Sequence, residues 1–456
     1  MHRAHRRSLT EGSIFLGMGA FFLPLLAGQI VSIVGSAVNT FILGKVIGSD
    51  ALAASSAVAQ PIAVAAAILN GLVVGLQVVL SKCFGSDDPA EAERGIASGL
   101  AVVCGAAALV GGGLMACIRP VLHAMKTPDD IFELSVRYAM VTLSYYVLTY
   151  LYQVLTTVFN AEGNGAAVMF FNVLNIVFQI GYVLLFVALL RWGLMGVLAA
   201  SAATTFTNCA VCWGWMRGHT AHLHFVRGRV RPSAALMKRI LAIGLPVGLQ
   251  TVLINLGGVV RQAGVNEYLG TDYMVAVSAS GQLASWLMAP ITLWGTVLTV
   301  YCGQNLGAGR RDRLRAGVKL SLLVCLAYSA LSVALVFPLA RPVSACFTNR
   351  AELLPMAAEY AITLVLAYPF IAILNTMRCT LYGTGHGTAS IVGGLCETSV
   401  NIFAGLWLIA RTGAMGANLS NPIAWVMSSI GFTAAVLILK KQGRLVPAEG
   451  SAAASA

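Results

Sequence analysis

Three ionisable side chains, Glu397, Arg261 and Arg378, fall inside long apolar stretches, away from the loops that hold almost every other charge. Of seventeen acidic residues, sixteen sit at predicted helix ends, in loops or in tails, and Glu397 alone lies deep. A charge at membrane depth costs several kcal/mol unless it is paired or hydrated, so such residues are functional candidates by default. For Arg378, late in its stretch, snorkelling to the interface is the competing explanation. Other reactive patterns are weak. Cys209 and Cys212 form a CxxC, but in mid-helix with no second pair, where cysteine serves as a small hydrophobe. His219, His222 and His224 read as a solvated linker, because no cysteine or carboxylate accompanies them, so no metal site is expected. There is no GxxxxGK[ST] phosphate loop and no assembled Ser-His-Asp set, so the chain does not read as an enzyme and needs no cofactor.

The elements that position these groups follow from composition. The 456 residues are 58% hydrophobic and 10% charged, with mean hydropathy +0.81, against roughly 25% charged in a soluble domain. Apolar stretches long enough to cross a bilayer recur along the whole length. They predict helices over 13–46, 51–81, 92–118, 132–159, 165–190 and 193–217, then 235–268, 273–303, 316–340, 354–382, 388–410 and 414–439. The basic start MHRAHRR precedes an apolar run too long for a signal peptide. Nineteen Lys and Arg residues lie on the face of the two termini and eight on the other, which predicts cytoplasmic termini. The +12 net charge reflects this bias, and with no folded basic domain no nucleic-acid partner is expected.

The chain also repeats itself. Slid along itself until Pro24 meets Pro246, the sequence brings Gly35 onto Gly257, Gly48 and Asp50 onto Gly270 and Asp272, and Gly163 onto Gly385, all without a gap. After a two-residue adjustment, RWGLMG at 191–196 meets RTGAMG at 411–416. Six helices separate the copies, so both halves run the same way and are related by an axis along the membrane normal. The fold class is therefore all-α: a polytopic membrane protein of twelve transmembrane helices in two pseudo-symmetric six-helix lobes around a central cavity. The expected domains are an N-terminal lobe over 1–218, a cytoplasmic linker over 219–233, a C-terminal lobe over 234–440 and a flexible tail over 441–456. Pro24 and Pro246 each remove a backbone hydrogen bond inside the first helix of a half and favour a bend, mobile or static.

LPLLAGQIVSIVGSAVNTFILGKVIGSDALAA near the start, GLPVGLQTVLINLGG in the second half, GQNLGAGRRDRLRAG at 303–317 and FNAEGNGAAVMFFNVLNIVFQIGYVLLF at 159–186 resemble the MATE (multidrug and toxic compound extrusion) family of prokaryotic transporters. The resemblance covers all twelve helices. It implies a multi-pass protein of the plasma (inner) membrane, working as a monomer, that exports small amphipathic compounds, usually cationic, by alternating access. Inward H⁺ or Na⁺ movement would drive that antiport. A lipid-linked precursor flippase of the same superfamily, or a relative with altered coupling, are the alternatives.

The chain departs from that pattern where the family carries acids. The helix 1 aspartate position is Asn39, and the helix 5 pair corresponds to Asn175 and Gln179. Carried across by the offset of the repeat, these positions become Arg261, Glu397 and Asn401, which makes Arg261 and Glu397 expected neighbours, either a coupling device or a structural pair. Gln29 and Gln250, one turn beyond the two prolines, are candidates to line the cavity or to bond a freed carbonyl. Tyr150, among Tyr145, Tyr146 and Tyr152, is a candidate to stack on substrate or simply to pack.

Overall fold

A computed structural model describes residues 9–41, 49–219, 231–345 and 351–446. Among these the chain forms twelve helical runs. The first six are α1 (Ile14–Phe41), α2 (Ser49–Gly85), α3 (Pro89–Ala124), α4a (Asp129–Ser144) with α4b (Tyr146–Glu162), α5 (Gly165–Val183) and α6 (Gly193–His219). The second six are α7 (Ala234–Tyr268), α8 (Gly270–Gly307), α9 (Arg311–Ala345), α10a (Leu354–Leu366) with α10b (Tyr368–Gly383), α11 (Gly387–Phe403) and α12 (Ala414–Lys441). Ten helices among the described residues are long and apolar enough to cross a membrane, and α10a with α10b, bent by 44°, makes an eleventh span. Its counterpart, α4a with α4b, is the remaining run. The fold is an all-α polytopic membrane protein of twelve helices in two similar sets of six.

The repeat extends to the irregularities. The fourth run breaks at Tyr145 and the tenth at Ala367, which are equivalent positions in the two halves. Gly163 and Gly385 end α4b and α10b at φ 79° and 84°. Those positive angles suit glycine, which has no β-carbon to clash. Gly193 and Gly413 open α6 and α12 at φ 58° and 60°, in the register shortened by two residues. Both α5 and α11 run into a π-helical turn, at Leu184–Leu189 and Ala404–Leu408. The helices exceed the expected spans at several ends; α3, for example, starts at Pro89 because Asp88 accepts from the Ala90 and Glu91 amides at 3.0 Å.

Packing divides the chain into two compact units, one of residues 1–8 and 19–248 and the other of 9–18 and 249–456. The division falls inside α7 rather than at the 219–233 linker, most of which lies outside the described residues. The cause is a close helix crossing in the first unit. Gly71 and Gly75 of α2 face Gly244 and Gly248 of α7, so near that a β-carbon on Gly75 would meet the Ile240 carbonyl oxygen at 2.5 Å. Two small-xxx-small motifs thus let the backbones touch, which is how helices gain packing energy in lipid. In the second unit, residues 9–12 are held by α8 and α9. The Leu9 amide donates to Gln304 Oε1 at 3.3 Å, and Arg313 Nη1 donates to the Gly12 carbonyl at 2.9 Å.

Candidate functional site

In the first unit the polar positions of α5 face α6 as neutral pairs. Asn208 Nδ2 donates to Asn175 Oδ1 at 2.7 Å, and Gln179 Nε2 donates to Ser201 Oγ at 3.3 Å. No acid or base enters either pair. Gln29 is half-buried on α1, and the side chain of Asn39, near the end of that helix, lies outside the described residues. Tyr150 is buried in the core. Its hydroxyl lies 3.4 Å from Asn70 Oδ1, and its ring packs edge-on against Tyr146 at 5.1 Å. That places it in helix packing rather than in a position to stack on a substrate. Cys209 and Cys212 are buried free thiols, and the His219, His222 and His224 side chains lie outside the described residues.

The second unit puts ionisable groups where the first has amides. Glu397 on α11 is the twin of Asn175, and Ser428 on α12 is the twin of Asn208 in the shortened register. Ser428 Oγ stands 3.5 Å from Glu397 Oε2. No ion pair to this carboxylate forms among the described residues, and the basic group whose charge reaches it is Arg378 of α10b, not the expected Arg261. Helix register explains the difference. Gly257 of α7 packs on Thr398 and Asn401, and Gly405 packs on Val260 and Arg261, so Arg261 stands near the level of Gly405. At 1.5 Å per residue that is about 12 Å along the axis from Glu397. Arg378 Nη2 donates to Asn375 Oδ1 at 2.8 Å, and Asn375 in turn donates to the Ile291 carbonyl at 2.7 Å. The guanidinium is therefore fixed inside the helix bundle by a side-chain network, and snorkelling does not describe it.

Gln250, fully buried on α7, accepts from the Tyr382 hydroxyl at 3.0 Å, which ties α7 to α10b. Its own twin position is Gly28. In the first unit Gly28 packs against Asn172, whereas in the second Gln250 packs against Gly394, the twin of Asn172. Large and small have changed places across one helix contact, so each unit holds one amide there but from opposite helices. Asn401 is buried with Oδ1 unpartnered, pressed against Gly257. Sequence reasoning missed Asn375, Ser428 and Tyr382. The repeat carried a signal for Ser428, since Asn208 was legible as its counterpart, but nothing in the sequence singled out Asn375 or Tyr382.

Comparison with known proteins agrees with this architecture. The MatE family model matches residues 24–185 and again 246–407, two segments set apart by the offset of the internal repeat. The chain is 21% identical over 428 residues to "Probable multidrug resistance protein YoeA" of Bacillus subtilis (strain 168), covering 92% of this chain and 88% of that protein. It is 26% identical over 466 residues to "Probable multidrug resistance protein NorM" of Chromobacterium violaceum, covering 96% and 95%. Its fold superposes on a crystal structure of MATE in the bent conformation with TM-score 0.88 at 17% identity, over 98% of this chain and 100% of that one. With both halves matched at the spacing of the internal repeat, the chain belongs to the MATE family of multidrug efflux transporters and is a membrane transporter, not an enzyme.

Proposed function

We propose that this protein is a secondary exporter of small amphipathic compounds, driven by inward proton movement through alternating access, with the coupling residue in the second unit at Glu397. The carrying observation is the contrast between twins. Asn175 with Asn208 is a neutral amide pair, while Glu397 with Ser428 is ionisable and lies within the electrostatic reach of Arg378. A carboxylate switch in the first unit has no acid at Asn175 or Gln179 to work with.

Glu397 favours the proton as coupling ion, because a carboxyl group can be held either charged or neutral. Ser428 Oγ is placed to donate to the Gly393 carbonyl at 2.5 Å and to Glu397 Oε2 at 3.5 Å, so its one hydrogen can turn to the carboxylate when the acid is charged. Protonation removes that need and leaves the hydrogen with the Gly393 carbonyl. In the charged state the Arg378 charge also offsets part of the desolvation cost of Glu397, and on protonation that attraction is lost. Two states of similar energy and different charge are what a proton-driven cycle needs. One proton moving across 100 mV releases about 2.3 kcal/mol, enough to hold a substrate gradient of roughly 50-fold.

The test uses proteoliposomes with separately imposed pH and sodium gradients and a fluorescent efflux substrate. Transport should follow the pH gradient and disappear in Glu397→Gln, while Asn39→Asp leaves the direction of coupling unchanged. Transport driven by sodium alone, or by neither gradient, sinks this mechanism. The excess of Lys and Arg on one face supports cytoplasmic termini in the plasma membrane, and a reporter fused to the C-terminus that is active only in the cytoplasm checks it.

A further inference from the structure

The segment GQNLGAGRRDR, which closes α8 and opens α9, takes no part in the Glu397 site; its polar side chains turn to the start of the chain. Gln304 and Asn305, both buried at the end of α8, and Arg313 in the first turn of α9 grip the main chain of residues 9–12. The Leu9 amide donates to Gln304 Oε1 at 3.3 Å, and the Leu9 carbonyl accepts from Asn305 Nδ2 at 3.3 Å and from Arg313 Nη2 at 3.4 Å. Arg313 also donates to the carbonyls of Glu11 at 3.2 Å and Gly12 at 2.9 Å. A planar guanidinium fork reaches several carbonyls at once, which the compact ammonium of a lysine does not. The pair of Arg310 with Glu11, at 3.3 Å, is exposed and adds little.

The receiving side is braced from within. Asn305 Nδ2 also donates to the Tyr301 carbonyl at 2.9 Å, and the buried Tyr301 hydroxyl donates to the Arg313 carbonyl at 2.7 Å. Leu9 and Thr10 are themselves buried. Withdrawing the segment would strip these bonds from two buried amide side chains, which is costly away from water. The next stretch of α1 is weak by comparison. Gly17 and Gly19 are poor helix formers, and Pro24 denies the Ala20 carbonyl its helical donor. The division between the packing units falls in that stretch, residues 9–18 belonging to the second unit and α1 from Gly19 onward to the first.

The repeat does not carry this grip. In the corresponding register the first unit has Lys82, Cys83 and Glu91 in place of Gln304, Asn305 and Arg313, and an ionised carboxylate has no hydrogen to give a carbonyl. The residue before α7 is held by a hydroxyl instead, the Ser233 amide donating to Ser98 Oγ at 2.9 Å.

We propose that Gln304, Asn305 and Arg313 are positioning residues that keep the start of α1 fastened to α8 and α9 throughout the transport cycle, so that α1 flexes over residues 17–24. They act through α1 rather than on the substrate. The inference rests on the exporter function above and not on Glu397 as the coupling residue.

The test pairs hydrogen exchange in nanodiscs with efflux from proteoliposomes, both on the full chain. Arg313→Gln should speed amide exchange over residues 9–20 about tenfold and lower the maximal efflux rate severalfold, while the substrate KM stays within about twofold. Arg313→Lys should recover little of either. Arg315→Gln, which removes the same charge from an exposed neighbour, should change neither. Slower efflux with exchange over 9–20 unchanged, faster exchange with full efflux, or a KM that rises as the rate falls overturns the proposal. A second measurement asks whether the grip ever opens. In a chain with the native cysteines replaced by alanine, Glu11→Cys and Arg310→Cys are joined by a short bismaleimide. The joined protein should pump within about twofold of the unjoined one, and joining should restore the rate lost in Arg313→Gln. Efflux blocked by the crosslink means that the segment must leave α8 and α9 during the cycle, and overturns the proposal. If the native protein moves no substrate under any gradient, the exporter reading fails, and the exchange measurement alone decides whether Arg313 fastens α1.

Discussion

Asn208 donates its amide to Asn175 Oδ1 at 2.7 Å, and the residues in the corresponding register of the second unit, Ser428 and Glu397, stand 3.5 Å apart. The same two helices meet at the same level in both halves, and only the chemistry has changed. Substituting the acid by its amide should therefore be tolerated structurally. Glu397→Gln should fold with a thermal midpoint near that of the native protein and lose at least tenfold in pH-driven efflux, measured in vesicles. A variant that fails to accumulate in the membrane would show that the carboxylate is structural.

Arg378 and Glu397 should behave as a thermodynamically coupled pair. Removing one member of a buried pair leaves an uncompensated charge and costs about 3–5 kcal/mol where burial is complete. Arg378 is half-buried and held by Asn375, so a smaller loss is expected in Arg378→Gln. The double variant Arg378→Gln/Glu397→Gln should recover part of the lost melting temperature. Strictly additive losses would mean that the two do not interact.

The exchange of Gly28 with Asn172 for Gln250 with Gly394 makes a packing prediction. A β-carbon on Gly394 would fall on Gln250 Cγ, so Gly394→Asn alone should be destabilised by about 1–3 kcal/mol through overpacking. Adding Gln250→Gly recreates the arrangement of the first unit and should restore much of that loss. Detergent melting curves of the single and double variants decide it, and no recovery would refute the size exchange.

The crossing of α2 and α7 should be the least tolerant packing site in the first unit. A side chain on Gly71 would drive into the backbone at Gly248, and neither helix can move without opening the other contacts at Gly75 and Gly244. Gly71→Leu should reduce the folded protein in the membrane severalfold, while Gly105→Leu, where a β-carbon meets nothing within 4 Å, should not. Comparable yields for the two variants would count against it.

His386, between α10b and α11, gives a pH signature. Burial, with the charge of Arg444 adding to it, holds its imidazole below the ordinary 6.5, and Nδ1 lies 3.1 Å from Thr384 Oγ1. The folded state therefore binds this proton less readily than the unfolded chain. Its contribution to stability is present above about pH 6.5 and is lost as the pH falls. Melting temperature in detergent should drop less between pH 8 and pH 5 in His386→Gln than in the native protein.

Hydropathy and self-similarity were enough to establish the twelve spans, the repeat and the family, because lipid forces every spanning segment to be a long apolar helix and duplication leaves Pro and Gly in step. They also exposed Glu397 and Arg261 as charges out of place, since a charge in an apolar run is visible without coordinates. The partners of those charges emerge only on folding. Which base faces Glu397 depends on the axial register of α11 against α7 and α10b, set by glycine contacts at Gly257, Gly264 and Gly405 that hydropathy does not encode. The Arg261–Glu397 neighbourhood failed for that reason, and Arg378, Asn375 and Ser428 took its place. The packing boundary inside α7 has the same origin, because four glycines on two helices far apart in sequence become one contact only when the chain is folded.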